Sequence, residues 1–242
     1  MCTLTFVPVE EGIIFTSNRD EGTDRKPSEP PQKLDVGAVT TITPIDANSG
    51  GTWIAATEQG TLHCLLNGAF KPHKRKPPYR LSRGHVIPEY IKEGNSLPAF
   101  MEAFDFENIE PFTLVTYNPS LPSTNQITEF RWDGKQKYLR FFQANQPMVW
   151  ASATLYDDKA YQDRINWLHD WLEEKPHTQN SMLQFHREGG NGSPENDMRV
   201  KRGNWLKTVS ITSAVLYPEE VHMSHDALNG AKPLSIKINR TF

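Results

Sequence analysis

Cys2 and the run Asn18-Arg19-Asp20-Glu21 hold the residue types best suited to covalent chemistry. An initiator methionine is commonly trimmed when a small residue follows, so Cys2 is a candidate N-terminal residue. It would then carry a thiol and an α-amine together, a nucleophile with its own proton acceptor. Between the two motifs, Thr3-Leu4-Thr5-Phe6-Val7 and Gly12-Ile13-Ile14-Phe15-Thr16 alternate and are rich in β-branched and aromatic residues. With Glu10-Glu11-Gly12 as the turn, they read as a β-hairpin. Opposed residues in a hairpin have position numbers of constant sum. A turn centred near Glu10-Glu11 sets Cys2 opposite Arg19, and a centre one residue later sets it opposite Glu21. Directly opposed Cα atoms lie about 5 Å apart, so either register brings Arg19, Asp20 or Glu21 beside Cys2. A guanidinium near a thiol favours the thiolate, and a carboxylate near an α-amine can anchor and orient it. A solvated strand end is the competing reading of the same polar run.

Several other residues have two readings. Asn67 ends a strand just before Gly68, where its amide could donate to a developing oxyanion; Asn-Gly is also a turn. Trp53 suits a core or pocket wall. Cys64 reads as a small buried residue, and its neighbour His63 points to the opposite strand face. The basic stretch Lys71-Pro72-His73-Lys74-Arg75-Lys76, followed by Arg80 and Arg83, is either a solvated loop or the flank of a site for an anion. A carboxylate, a phosphate or the nucleotide end of a coenzyme A thioester would suit such a flank. His222 and His225 lack a third ligand at metal-site spacing, so no metal is assigned. Gly189-Gly190-Asn191-Gly192-Ser193 lacks the Lys-Ser/Thr ending of a phosphate loop.

The elements that must position these residues are mostly strands. After the hairpin, strands are expected over 36–42, 52–57 and 61–66, and a meander over 112–117, 127–132, 138–143 and 148–153. Helices are expected over 83–93, 97–104 and 157–175, the last with Tyr161, Ile165, Leu168 and Leu172 on one face and Asp157 or Asp158 as cap. Strands over 207–217 and 234–239 close the chain. The Pro-rich stretches 26–31 and 72–78 read as loops. Many strands with helices clustered between them indicate an α+β fold with antiparallel sheets.

The 242 residues are 37% hydrophobic with net charge −3, enough for one domain over 1–242 with a sizeable core. That charge gives no global case for nucleic acid or for a membrane surface. No run approaches the roughly 18 apolar residues of a membrane helix, and no signal peptide is recognised. Two cysteines make no disulfide framework and suit a reducing, cytoplasmic setting.

Taken in order, Met1-Cys2, Asn18 to Glu21, Gly50-Gly51-Thr52-Trp53, Leu66-Asn67 and Ser82-Arg83-Gly84 resemble the NRDE family. That family is named for its Asn-Arg-Asp-Glu motif and includes the animal transport-and-Golgi-organisation protein. It is similar in turn to the N-terminal-nucleophile (Ntn) hydrolases, among them penicillin V acylase, bile salt hydrolase and acid ceramidase. The resemblance implies a four-layer αββα sandwich and an amidohydrolase acting on a non-peptide linear amide of an N-acyl compound, without a cofactor. It gives Cys2 as nucleophile, Arg19 as thiolate stabiliser, Asp20 as positioner of the amine and Asn67 as oxyanion donor, with Asn18, Trp53, Arg83 and Ser152 toward substrate. The chain departs from the Ntn pattern twice. The mid-chain stretch Trp150-Ala151-Ser152-Ala153-Thr154 lacks a second oxyanion asparagine, for which Ser152 is the available substitute. The late Thr-Arg step is absent, which leaves Arg202 or Lys207 as the basic residue near the site. The alternative is a non-catalytic carrier of acyl-CoA, lipid or haem.

Overall fold

The computed structural model describes residues 2–241. The chain opens with β1 (Cys2–Val9) and β2 (Gly12–Gly22), then β3 (Glu29–Val36), β4 (Val39–Ile45), β5 (Ile54–Thr57) and β6 (Leu62–Asn67). Two short helices follow, α1 (Val86–Lys92) and α2 (Leu97–Ala103), then β7 (Phe112–Tyr117), β8 (Ile127–Trp132), β9 (Lys137–Phe142) and β10 (Met148–Ala151). The rest is α3 (Asp158–Glu174), α4 (Gln179–Glu188), β11 (Lys201–Arg202), β12 (Leu206–Leu216), β13 (Glu220–Asp226) and β14 (Leu234–Asn239). The first sheet runs β10-β1-β2-β12-β13-β14, with β11 on β12; the second runs β3 through β9 in chain order. Every strand pairing among the described residues is antiparallel.

Alternation along the strands separates three apolar layers. Cys2, Leu4, Phe6 and Phe15 of the first sheet meet Ile54, Cys64 and Val115 of the second. On the outer side of the second sheet, Ala55, Leu65 and Phe130 take up Ile87 and Tyr90 of α1 and Phe100 of α2. On the outer side of the first, Val7, Ile14 and Val215 pack on Leu168 of α3 and Phe185 of α4. This is the expected αββα order, helices outside and two antiparallel sheets face to face.

Some boundaries differ from the sequence reading. The strand expected over 36–42 is split by a turn at Gly37, whose φ of 64° is a left-handed value that suits glycine. Residues 29–31 belong to β3 rather than to a loop. Pro30 and Pro31 fit there because β3 is an edge strand whose pairing with β4 shifts register between Glu29 and Gln32, so neither proline occupies a ladder position that needs its N–H. The four-strand meander is broken too. After β9 the chain crosses over, and β10 pairs with β1, setting Thr3 opposite Ala151. α4 and β13 had no counterpart in the sequence reading. Among the described residues, no helix is long and apolar enough to cross a membrane.

Three histidines are buried in this architecture. Burial pushes the pKa of His63 and His186 down to about 3 and that of His225 to about 4. Each is neutral when folded and regains an ordinary pKa near 6.5 when unfolded, so the unfolded chain binds more protons below that pH. Their contribution to stability is therefore full above about pH 6.5 and declines as pH falls toward the folded values, by up to ~1.4 kcal/mol per histidine per pH unit. The urea midpoint, followed by far-UV circular dichroism, is expected to drop steadily from about pH 6.5 to about pH 5. A midpoint constant across that range would contradict this account of the three imidazoles.

Candidate active site

The first hairpin has the register in which Cys2 faces Arg19. On its other edge β2 pairs with β12, which sets Ser210 opposite Arg19. Residues two apart share a strand face. Cys2 and Arg19 therefore look toward the second sheet, while Asn18 and Asp20 look toward the helices. Cys2 is 2% exposed and lines a cleft of about 800 Å³ together with Arg19, Trp53, Asn67, Arg83 and Thr154.

Arg19 is a buried cation, and its surroundings answer that charge. Its guanidinium pairs with Asp46 and lies 3.5 Å from Glu21. It also lies over the Trp53 ring, 4.7 Å from the centroid, a cation–π geometry. Asp46, directly after β4, is bound in addition by Arg25 at 2.9 and 3.1 Å and by the backbone N–H of Ser49 at 2.9 Å. Burial would raise the Asp46 carboxyl, but the hydrogen bond from Arg25 and the charges of Arg19 and Arg25 hold it at about 2. The loop that presents Asp46 depends on glycines. Gly50 has φ of 69°, and any side chain on Gly51 would collide with the Gly84 backbone. Thr52 N–H donates to Gly84 C=O at 2.8 Å. The Gly-Gly-Thr-Trp and Ser-Arg-Gly motifs thus interlock, and the contact brings Arg83 to the cleft wall. Arg83 pairs with Glu110 at 3.2 Å and donates to Pro111 C=O at 3.1 Å. Arg75 and His73 reach the same Glu110 carboxylate at 3.2 and 3.3 Å.

Burial pushes the Cys2 thiol above its ordinary pKa, Asp20 and Glu21 add to this, and Arg19 opposes without reversing it. The resting group is a thiol; the standing thiolate expected from Arg19 alone is not what this environment favours. Asp20 is fully buried behind the strand, accepting from Tyr156 Oη and Thr208 Oγ1, each at 2.7 Å. Burial raises its carboxyl and these two donors pull it back only in part.

Asn67 ends β6 with its side chain at the cleft, and that amide makes no hydrogen bond within the described residues. Its backbone is held by Ser152, whose Oγ donates to Asn67 C=O at 2.7 Å and whose N–H donates to Cys2 C=O at 2.9 Å. Ser152 therefore sits behind the site as a clamp and does not line the cleft. Asn18 is not at the cleft either. Its amide donates to the carbonyls of Met198 at 2.5 Å and His186 at 3.1 Å. That orientation makes its Oδ1 the acceptor for His186 Nδ1 at 2.6 Å, so His186 Nε2 accepts from Thr5 at 2.8 Å. Of the late basic residues, Lys207 is exposed and Arg202 binds Leu155 C=O and Glu195 C=O at 3.0 and 2.9 Å; neither lines the cleft. Met1 lies outside the described residues. Asp46 was absent from the sequence reading, and only its place just ahead of Gly50-Gly51 could have marked it.

Replacing Asp46 with Asn removes the carboxylate that Arg19 and Arg25 share. Breaking one partner of a buried pair typically costs about 3–5 kcal/mol, and Glu21 compensates part of that here. A loss of about 2–3 kcal/mol in urea unfolding is expected, and no loss would mean that Asp46 does not hold Arg19.

Comparison with solved structures bears out the architecture. A Caenorhabditis elegans ortholog of N-acylethanolamine-hydrolyzing acid amidase superposes with a TM-score of 0.57 at 14% identity, covering 88% of this chain and 92% of that one. A mutant conjugated bile acid hydrolase from Clostridium perfringens gives 0.53 at 9% identity, covering 100% and 97%. Penicillin V acylase from Agrobacterium tumefaciens gives 0.51 at 10% identity, covering 99% and 86%. At such identities the likeness is one of fold, that of the Ntn hydrolases. No protein of curated function matches the sequence. The family model described as Transport and Golgi organisation 2 matches residues 1–191, and the chain belongs to that family.

Proposed function

We propose that this protein is an N-terminal-nucleophile amidohydrolase, working as one unit over 1–242, that cleaves a non-peptide linear amide of an N-acyl compound. The observation that carries the reading is the meeting of Cys2, Arg19 and the unengaged Asn67 amide in one cleft. Once Met1 is removed, the Cys2 α-amine is the general base. Its ordinary pKa of about 7.7–8.0 suits proton transfer near neutrality. A thiol that rests protonated requires such a base at the moment of attack.

In the proposed sequence, Sγ attacks the carbonyl carbon as its proton passes to the α-amine. The Asn67 amide donates to the oxyanion, and Arg19 stabilises charge left on sulfur. Collapse forms a thioester and expels the amine, which takes the proton from the α-amine. Water, deprotonated by the same amine, then releases the carboxylic acid and restores the thiol. Asp20, behind the start of β1, orients the amine. Trp53 and Arg83 form walls against substrate, and the cations around Glu110 suit an anionic end on the ligand. Free Cys2 and Cys64 suit a cytoplasmic setting.

A second reading, a non-catalytic carrier of acyl-CoA, lipid or haem, draws support from one observation. The Ser152 hydroxyl is engaged by Asn67 and Thr154, so it does not supply the missing second oxyanion donor.

The intact mass of untagged protein is expected to lack Met1, and a substrate screen by mass spectrometry should find acid release from an N-acyl amide. Cys2→Ala should abolish that release with the fold intact. Asn67→Ala should lower kcat by about 10²–10³, and the acid limb of kcat/KM should titrate near the α-amine pKa, about 7.7–8.0. Retained Met1, or undiminished turnover in pure Cys2→Ala, would sink the mechanism and leave the carrier.

A further inference from the structure

A second cavity, of about 780 Å³, nearly equals the Cys2 cleft in size. The two are separated where Gly68 packs on Ala153 and Thr154. Asn67 and Thr154 line the Cys2 cleft, whereas Phe70 and Ala153 line the second cavity. This cavity lies where the two sheets present their edge strands, β10 of the first and β9 of the second, with α3 alongside. One wall is the apolar stripe Tyr161, Ile165, Leu168 and Leu172 of α3. That stripe extends for about 16 Å at the helical rise. Phe142, Met148 and Trp150 form the wall opposite. A slot of that length with apolar walls suits a single extended alkyl chain.

The polar groups decide the other end of the ligand. Glu129 is buried and satisfied: Trp150 Nε1 donates to it at 2.9 Å, and Arg131 meets it with two hydrogen bonds of 2.9 Å. That pair is neutral as a unit. Arg140, on the neighbouring strand and in register with Glu129, has its guanidinium 5.1 Å from the Phe142 ring centroid. It has no carboxylate within ion-pair distance among the described residues. The sheet wall therefore carries one uncompensated positive charge. The other acidic residues of the cavity are on the helix side: Asp157, which caps α3 by accepting from Ala160 N–H at 2.8 Å, and Asp158 and Glu173 near the helix ends. A negative headgroup is thus drawn to the sheet wall and away from the ends of α3.

We propose that this cavity binds a single-chain anionic amphiphile, a long-chain carboxylate, with its alkyl chain along α3 and its headgroup on Arg140. The site rests on nothing in the chemistry proposed for Cys2. A carboxylate is also what amide hydrolysis at Cys2 would release, so the test must tell the two cavities apart.

Dodecanoate and dodecyltrimethylammonium, each below its aggregation threshold, would be titrated calorimetrically into the full chain. The variants are Arg140→Glu, Arg140→Lys and, on the other cleft, Arg75→Ala. Arg140 is exposed and makes no ion pair among the described residues, so its variants should fold, which circular dichroism checks. Dodecanoate is expected to bind the wild type more tightly than the cation does. Its Kd should rise roughly tenfold or more in Arg140→Glu and stay close to wild type in Arg140→Lys and Arg75→Ala. Absence of dodecanoate binding, equal or tighter binding of the cation, or an affinity unmoved by Arg140→Glu would each overturn the proposal. Weakening by Arg75→Ala alone would assign the carboxylate to the Cys2 cleft instead.

Discussion

The antiparallel pairing that sets Arg19 opposite Cys2 places a guanidinium inside a protein core, and much of the surrounding structure answers that charge. Arg19 is 2% exposed, and an isolated buried cation is too costly to persist without partners. Asp46 and Glu21 supply the negative charge, and the Trp53 ring supplies a polarizable face. Asp46 can reach Arg19 only if the loop after β4 turns back tightly, and two consecutive glycines allow that turn. The second of them lies so close to Gly84 that a side chain on it would collide with the Gly84 backbone. Arg83 follows from this contact, because it directly precedes Gly84. One ion pair at the floor of the cleft thus explains three separated sequence motifs.

The Asn-Arg-Asp-Glu run divides its work by strand alternation. Arg19 and Glu21 line the cleft. Asn18 and Asp20 point the other way and fix what lies behind it: Asn18 ties β2 to α4 and to the chain at Met198, and Asp20 ties β2 to β12 and Tyr156. A substitution at Asn18 would reach the cleft only by shifting β2, since three hydrogen bonds of its side chain end on main-chain carbonyls and His186. Ser152 has the same indirect character on the other side of β1.

What could be read from the sequence was the part governed by local rules. The hairpin register follows from a two-residue turn and the alternation on either side, so the facing of Cys2 and Arg19 was open to arithmetic. Strands with strong apolar alternation and α3, with its capped amphipathic stripe, were legible for the same reason. β13 was not, because its buried face reads Val221, Met223, His225, and a histidine interrupts the apolar alternation. α4 was hidden by polar residues such as Ser181 and His186 that the fold buries. The crossover of β10 to the first sheet leaves no local trace, since Met148 to Ala151 would look the same in a meander. Asp46 was invisible because nothing near it in sequence announces that its partner lies 27 positions earlier.

Burial sets the terms on which the candidate nucleophile can act. The same enclosure that raises the Cys2 thiol also raises Asp20 behind it, and Arg19 is too fully answered by Asp46 and Glu21 to reverse the effect on sulfur. A cysteine in that state is a poor nucleophile at rest. On the proposed reading, reactivity is conditional. Sulfur becomes competent only when a base beside it accepts the proton while a carbonyl oxygen takes the Asn67 amide. Such an arrangement tolerates the lack of a standing thiolate, but it puts the burden of oxyanion stabilisation on few donors, with Ser152 already bound to the main chain of Asn67. The rigidity of that clamp then matters more than the number of donors. With the Asn67 backbone held by β6, by the Gly68 turn and by Ser152, only the side-chain torsions of that amide have to settle when charge develops.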